Sequence, residues 1–225
     1  GLLNTAVMPA QWEILIGPEP ELGILWMQAM GADTAIVHDK QSQEIYHDWT
    51  YPRKFTGALP AVYDDGQGNV IYRAPRRFPG LARVVDAARH DRLLPPRGST
   101  DAERVQPYAE SLERGPDSPA TAVWNGTDAM RVQAQLEPGQ SLVVLVSYDS
   151  AWRATSAGLV LPVRQDAFGF LRIDAPPGRH DIDLRFTLPL ENLAGWLITV
   201  WAILAAAGLL FQAWRQRSRG ATLYG

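Results

Sequence analysis

Between Asn192 and Trp214 the chain carries no Asp, Glu, Lys or Arg and reads NLAGWLITVWAILAAAGLLFQAW. No other feature constrains the fold as strongly, because about 20 apolar residues at helical rise match the hydrocarbon core of a bilayer. The polar members are Asn192, Thr199 and Gln212, two of them near the ends. Trp196 and Trp201 stand near the start, and Phe211 and Trp214 at the close, in the manner of an aromatic belt. The run therefore predicts one C-terminal transmembrane helix over 192–214, with the lipid bilayer as a partner. Arg215, Arg217 and Arg219 follow it and Glu191 precedes it. Such asymmetry predicts a cytoplasmic tail at 215–225, with residues 1–190 extracytoplasmic, on the outer side of a cytoplasmic (inner) membrane. Gly1–Gly17 has no basic segment, sustained apolar stretch or initiator Met. Delivery by upstream transmembrane helices of a longer membrane protein is the expectation that follows.

Composition closes other routes. Among 225 residues there is no cysteine, which excludes a disulfide framework, a thiolate metal cluster and a cysteine nucleophile. A formal charge of -3 leaves no basic excess to neutralise phosphates, which argues against a nucleic-acid partner. With 46% hydrophobic residues and so small a net charge, the chain has the makings of a core rather than of wholesale disorder.

The remainder reads as α+β: a small α/β subdomain over 1–86, a Pro/Gly-rich connection over 87–120, and an antiparallel β-sandwich over 121–190. Within the first part, Leu22, Leu25, Trp26 and Ala29 recur at helical spacing across Glu19–Met30, with Pro20 in the first turn and Gly31 at the C-cap. Thr34–His38 reads as a buried strand and Ser42–Trp49 as a short helix with Ser42 as N-cap. Leu59–Ala74 reads as a hairpin turning at Asp65–Gly68, and Leu81–Asp86 as a strand. Pro95, Pro96, Pro107, Pro116 and Pro119 then predict an extended path with one short helix around Ala102–Arg104. From Thr121 onward the pattern is β. Met130–Leu136 alternates, Ser141–Tyr148 is continuously apolar like a strand buried on both faces, and Leu159–Arg164, Phe168–Asp174 and His180–Phe186 follow.

Few residues gather into a chemical pattern. His38 with His47 and Asp48 is the sole sequence-local set that could converge on a metal, and the residues predict neither a metal site nor a cofactor. His180 and Asp181 are adjacent on a strand and point to opposite faces. No Ser-His-Asp signature or phosphate loop is present, so no catalytic residue is assigned. Asn125–Gly126–Thr127 fits a glycosylation sequon. Trp124, Tyr148 and Trp152 offer aromatic faces, with Asp149, Arg153 and Asp166 nearby in sequence. Rings of this kind stack on apolar sugar faces while carboxylates take the hydroxyls, so these three aromatics are the candidate glycan-stacking residues; the competing reading places Tyr148 and Trp152 in the sandwich core.

Three segments carry a family resemblance. Met30–His38 (MGADTAIVH) resembles the strand entry after the membrane region of large bacterial proteins of the YfhO type. Ser147–Gly158 (SYDSAWRATSAG) resembles their Tyr-Tyr-Pro-Gly-Trp-Lys-Ala…Asp-Gly signature, with Trp152 at the Trp and Gly158 at the final Gly. Gly169–Phe186 (GFLRIDAPPGRHDIDLRF) resembles their strand leading into the last membrane helix. Ala151 stands where that family has Gly, and Ala157 where it has Asp. The resemblance implies the C-terminal extracytoplasmic region of a bacterial cell-envelope membrane protein similar to GT-C glycosyltransferases, which use polyprenyl-phosphate sugar donors. It implies a glycan or polyprenyl-linked sugar as partner and support of acceptor binding without the catalytic residues. A non-catalytic, membrane-anchored β-sandwich binding or scaffolding module is the alternative.

Overall fold

The structure, a computed structural model, describes residues 6–187 and 190–220, with side chains at 6–187 and 194–210. The chain divides after Phe186 into two units. The first opens with helices α1 (Val7–Leu15) and α2 (Pro20–Met30). Pro20 occupies the first turn of α2, where a missing N–H leaves no bond unmade. Gly31 ends the helix in the left-handed conformation, φ 76°, and its N–H returns to the Gln28 carbonyl. On the face the spacing predicts, Trp26 and Ala29 are buried.

Strands β1 (Thr34–His38), β2 (Ala61–Asp64) and β3 (Asn69–Arg73) form a three-stranded antiparallel sheet in the order β1-β3-β2. β1 is half-buried instead of buried throughout: Ala35 and Val37 pack with Met27, Phe55 and Tyr72, whereas Ile36 faces outward. The helix expected over Ser42–Trp49 does not form. Asp39 Oδ1 accepts from Gln41 N (2.7 Å) and Ser42 Oγ from Glu44 N (3.1 Å), and such local side-chain bonds hold the backbone in turns. Ile45 and Tyr46 on this segment are exposed, so no apolar face stabilises a helix there.

β4 (Ala82–Asp86) leads into the short helix α3 (Ala87–His90), and α4 (Ala102–Glu113) follows. α4 runs well past the short helix that the prolines suggest, with Pro107 inside it. A proline there forgoes a hydrogen bond and costs about 3 kcal/mol, but Val105, Tyr108, Ala109 and Leu112 are all buried on one stripe. Burial of that face outweighs the proline.

The remaining strands are β5 (Ala120–Trp124), β6 (Ala129–Leu136), β7 (Gln140–Ser147), β8 (Trp152–Ser156), β9 (Leu159–Leu161), β10 (Val163–Gln165), β11 (Phe170–Ile173) and β12 (Gly178–Phe186). They make a four-stranded sheet, β10-β11-β7-β4, and a five-stranded sheet, β5-β6-β12-β8-β9, all antiparallel. Leu142, Val144, Leu171 and Ile173 of the first pack with Val132, Leu136, Ile182 and Leu184 of the second in one core, making a sandwich. On its other face the four-stranded sheet packs Val143, Leu145, Val85 and Phe170 against Trp26, Tyr108 and Leu112 of the helices. This double coverage is why β7 reads as continuously apolar. The run Leu159–Arg164 is two strands on different sheets. Pro162 separates them, since it has no N–H to lend to a ladder.

The second unit holds helix α5 (Leu190–Gly220). The expectation of a transmembrane helix over 192–214 is corrected here: among the described residues no helix is long and apolar enough to cross a membrane. The inner-membrane location, the extracytoplasmic placement of the preceding residues and the cytoplasmic tail rested on that span and fall with it. Part of the tail, 221–225, and residues 1–5 and 188–189 lie outside the described residues. The fold class is α+β with antiparallel sheets and no demonstrated span.

Candidate functional site

A cleft of about 410 Å³ opens between α3 and the β10–β11 hairpin, bounded by His90, Asp91, Arg164, Asp166 and Arg172, with Leu93 and Pro95 on one side. Local chemistry sets its parts in place. Asp86 caps α3 by accepting from Arg89 N (2.7 Å), which directs His90 and Asp91 toward the hairpin. In the hairpin turn, Asp166 Oδ1 accepts from Phe168 N (2.8 Å) and Phe170 N (2.9 Å). The turn closes at Gly169, whose φ of 84° favours glycine.

The floor is a buried polar chain. Tyr108 Oη donates to Asp166 Oδ2 (2.6 Å), and His90 Nε2 lies 3.3 Å from the same oxygen. The other ring nitrogen, Nδ1, lies 3.2 Å from Ser111 Oγ, which donates to the Tyr108 carbonyl (2.7 Å). Ser111, His90 and Asp166 thus stand in the order of a hydrolase triad. The serine proton is engaged within α4, however, and its hydroxyl is buried away from the cleft lining. Asp166 is a fully satisfied acceptor of the kind a buried carboxylate needs. Burial, and after it the charge and hydrogen bond of Asp166, hold the Tyr108 phenol well above its ordinary pKa, so it stays a donor. Phe168 stacks on the Tyr108 ring at 3.7 Å between centroids and 12° between planes.

Three charges of the lining, Asp91, Arg164 and Arg172, close a ring with Asp174. Arg172 donates to Asp91 (2.5 Å) and pairs with Asp174 (3.4 Å); Arg164 pairs with Asp174 (2.6 Å) and with Asp91 (3.5 Å). Arg172 is buried, whereas Asp91 and Arg164 are about half exposed and face solvent. Burial pushes the Asp91 carboxyl up, but the hydrogen bond and charge of Arg172, with the charge of Arg164, outweigh it and hold Asp91 below the usual carboxylate range. Donors and acceptors therefore alternate around the opening.

The aromatic candidates lie elsewhere. Trp152 is buried in the sandwich core with its ring edge-on to Phe186 at 5.4 Å. Trp124, on the edge strand β5, is exposed, with its ring 6.2 Å from that of Trp152. Tyr148 is half-buried against the same core. Asp149 Oδ1 accepts from Ala151 N (2.8 Å) and Arg153 donates to the Ser150 carbonyl (2.5 Å), while Asp166 belongs to the α3 cleft. The structure thus brings the rings of Trp124 and Trp152 together and leaves Asp166 apart from them. His38 Nδ1 bonds Asn69 Oδ1 (2.8 Å), and no group of three His, Asp or Glu able to hold a metal occurs among the described residues. Asn125–Gly126–Thr127 is exposed between β5 and β6. The cleft itself was invisible to motif reading. Its one local signal is the pair Arg164 and Arg172, brought opposite each other by a hairpin. Comparisons with profiles of known protein families, with curated proteins and with solved structures find no match to this chain.

Proposed function

We propose that this chain is a non-catalytic saccharide-binding module, the part of a glycosyltransferase-like protein that holds a glycan acceptor, and that the ligand sits in the α3/β10–β11 cleft. The observation that carries the reading is that Arg164, Asp91 and Arg172 line a cleft of about 410 Å³ and, with Asp174, form an alternating ring of charges. Vicinal hydroxyls each donate and accept, so a sugar is matched by carboxylates that accept beside guanidinium groups that donate. A volume of this size suits a small ligand, and Leu93 and Pro95 supply an apolar flank for a ring's C–H face. The family resemblance of Ser147–Gly158 and Gly169–Phe186 supports the same reading, and the second of these segments contains Gly169 and Arg172 of the cleft. Saturation-transfer NMR of the full chain against a panel of neutral and uronic oligosaccharides tests it: at least one should bind with millimolar or better affinity, and a blank panel overturns it.

A scaffolding role is the second reading, favoured by α1 and the residue that caps it, where Met8, Trp12 and Ile16 recur four residues apart and are all exposed. Self-association of the full chain that is abolished by Trp12→Glu in sedimentation velocity would favour it over saccharide binding.

A further inference from the structure

A second depression, which shares no lining residue with the α3 cleft, includes Asp39 just beyond β1 of the three-stranded sheet. It is about 520 Å³ in volume, and its walls include Lys40, Arg53 and Lys54 with Pro18, Tyr51 and Pro52. On its other side Arg53 also borders a neighbouring hollow of about 430 Å³ that reaches Thr56 and Tyr72. Three cationic side chains therefore line a groove in a chain whose formal charge is -3. The single carboxylate among the lining residues, Asp39, accepts from Gln41 N and is engaged in its own turn. Lys40 and Arg53 make no ion pair among the described residues. Lys54 is anchored: its Nζ donates to the carbonyls of Glu13 (2.7 Å) and Gly17 (2.8 Å) at the end of α1 and lies 5.1 Å from the Phe55 ring centroid. An ammonium has three N–H donors, so one remains for a ligand.

We propose that this groove is a binding site for a small organic anion, a carboxylate or phosphate carried on a flat apolar body. Cations around a concave surface, two of them (Lys40 and Arg53) without an ion pair among the described residues, focus potential on the space they enclose, which raises the local concentration of anions. The Tyr51 ring and the two prolines make an apolar wall that inorganic anions do not use. Arg53 is placed as the principal anion contact, because its planar fork of donors meets both carboxylate and phosphate oxygens in pairs. The site is independent of the saccharide cleft, and neither stands or falls with the other.

The test is a titration of the isotope-labelled full chain with four probes, benzoate, phenyl phosphate, inorganic phosphate and neutral benzyl alcohol, followed by amide shifts over 39–41 and 50–57. Expected are saturable shifts with benzoate or phenyl phosphate, at least tenfold weaker binding of benzyl alcohol and of inorganic phosphate, and a tenfold or greater loss for Arg53→Met. The arm that wins between benzoate and phenyl phosphate identifies the anion. Arg53 is exposed, so its replacement leaves the fold intact, and an unchanged spectrum elsewhere verifies that. Benzyl alcohol binding as tightly as benzoate, an Arg53→Met variant that binds the anions unchanged, or no saturable shift with any probe would overturn the proposal.

Discussion

Arg164 stands directly opposite Arg172 across the β10–β11 ladder. Like charges in that position repel, and the sheet would be weakened by them. Asp91 from the end of α3 and Asp174 from beyond β11 complete the ring that neutralises both. The same cross-strand row continues through Val143 to Arg83 on β4. Arg83 is also buried, 4.0 Å from Glu113, and burial together with the charge of Arg76 lowers its pKa to about 10. One row of the sheet thus presents three guanidinium groups toward the helical side, each with an acidic residue supplied from outside the strands.

Asp91→Asn should therefore destabilise the hairpin, by on the order of 1 kcal/mol, because Asp91 is half exposed and water screens the pairs. Its carboxyl is held below the usual range, so the stabilisation is present above about pH 4, the unfolded value. Stability should be lost as pH falls through the lower, folded value. Thermal melts from pH 7 to pH 3 should show the wild type losing more stability than Asp91→Asn. Parallel curves would mean the ring contributes nothing.

Ala157 and Gly158 form the two-residue turn between β8 and β9, with φ of 49° and 80°. Ala157 is the one non-glycine residue with positive φ among the described residues. A Cβ there costs about 1–2 kcal/mol, and such turns favour Asn-Gly or Asp-Gly. This is also the position where the resembled family has Asp. Ala157→Asn should raise the melting temperature by roughly 2–4 °C per kcal/mol recovered. A drop on substitution would show that the turn is held by something other than its backbone conformation.

Trp152→Ala should cost about 3–5 kcal/mol, since the ring is buried between Trp124 and Phe186. Trp124→Ala, at an exposed edge, should cost under about 1 kcal/mol. Urea denaturation of both variants measures the contrast, and equal losses would place Trp124 in the core as well.

Burial lowers the Lys54 amine to about 8, with the charge of Glu13 opposing the shift. The folded state therefore releases this proton more readily than the unfolded chain, whose lysine titrates near pH 10.4. Between those two values the unfolded state binds more protons, so stability rises with pH. Relative to Lys54→Met, the wild type should gain on the order of 1 kcal/mol between pH 7.5 and pH 10, after allowance for solvent screening. Paired melts at the two pH values check it, and a wild type that loses stability relative to the variant would reverse the sign.

What could be read from the chain before its structure follows a physical divide. α2 was legible because Pro20, Gly31 and a helical apolar face agree. β7 was legible because a strand covered on both faces needs no polar residue. α4 was hidden by Pro107, whose local penalty is outweighed by tertiary burial of Tyr108 and Leu112. The cleft was hidden because its contacts join residues far apart in the chain, His90 with Asp166 and Asp91 with Arg172, separated by 76 and 81 positions. The apolar run at 192–214 was read correctly as helical, within α5 (Leu190–Gly220), but among the described residues no helix is long and apolar enough to cross a membrane.

Saccharide recognition at the α3 cleft is tested most directly by calorimetric titration of the tightest-binding oligosaccharide into three forms of this chain: wild type, Asp91→Asn and Trp124→Ala. Binding weakened at least tenfold in Asp91→Asn and retained in Trp124→Ala is the expected result. Binding retained in Asp91→Asn and lost in Trp124→Ala would contradict it, moving the ligand from the charged ring to the aromatic edge of the sandwich.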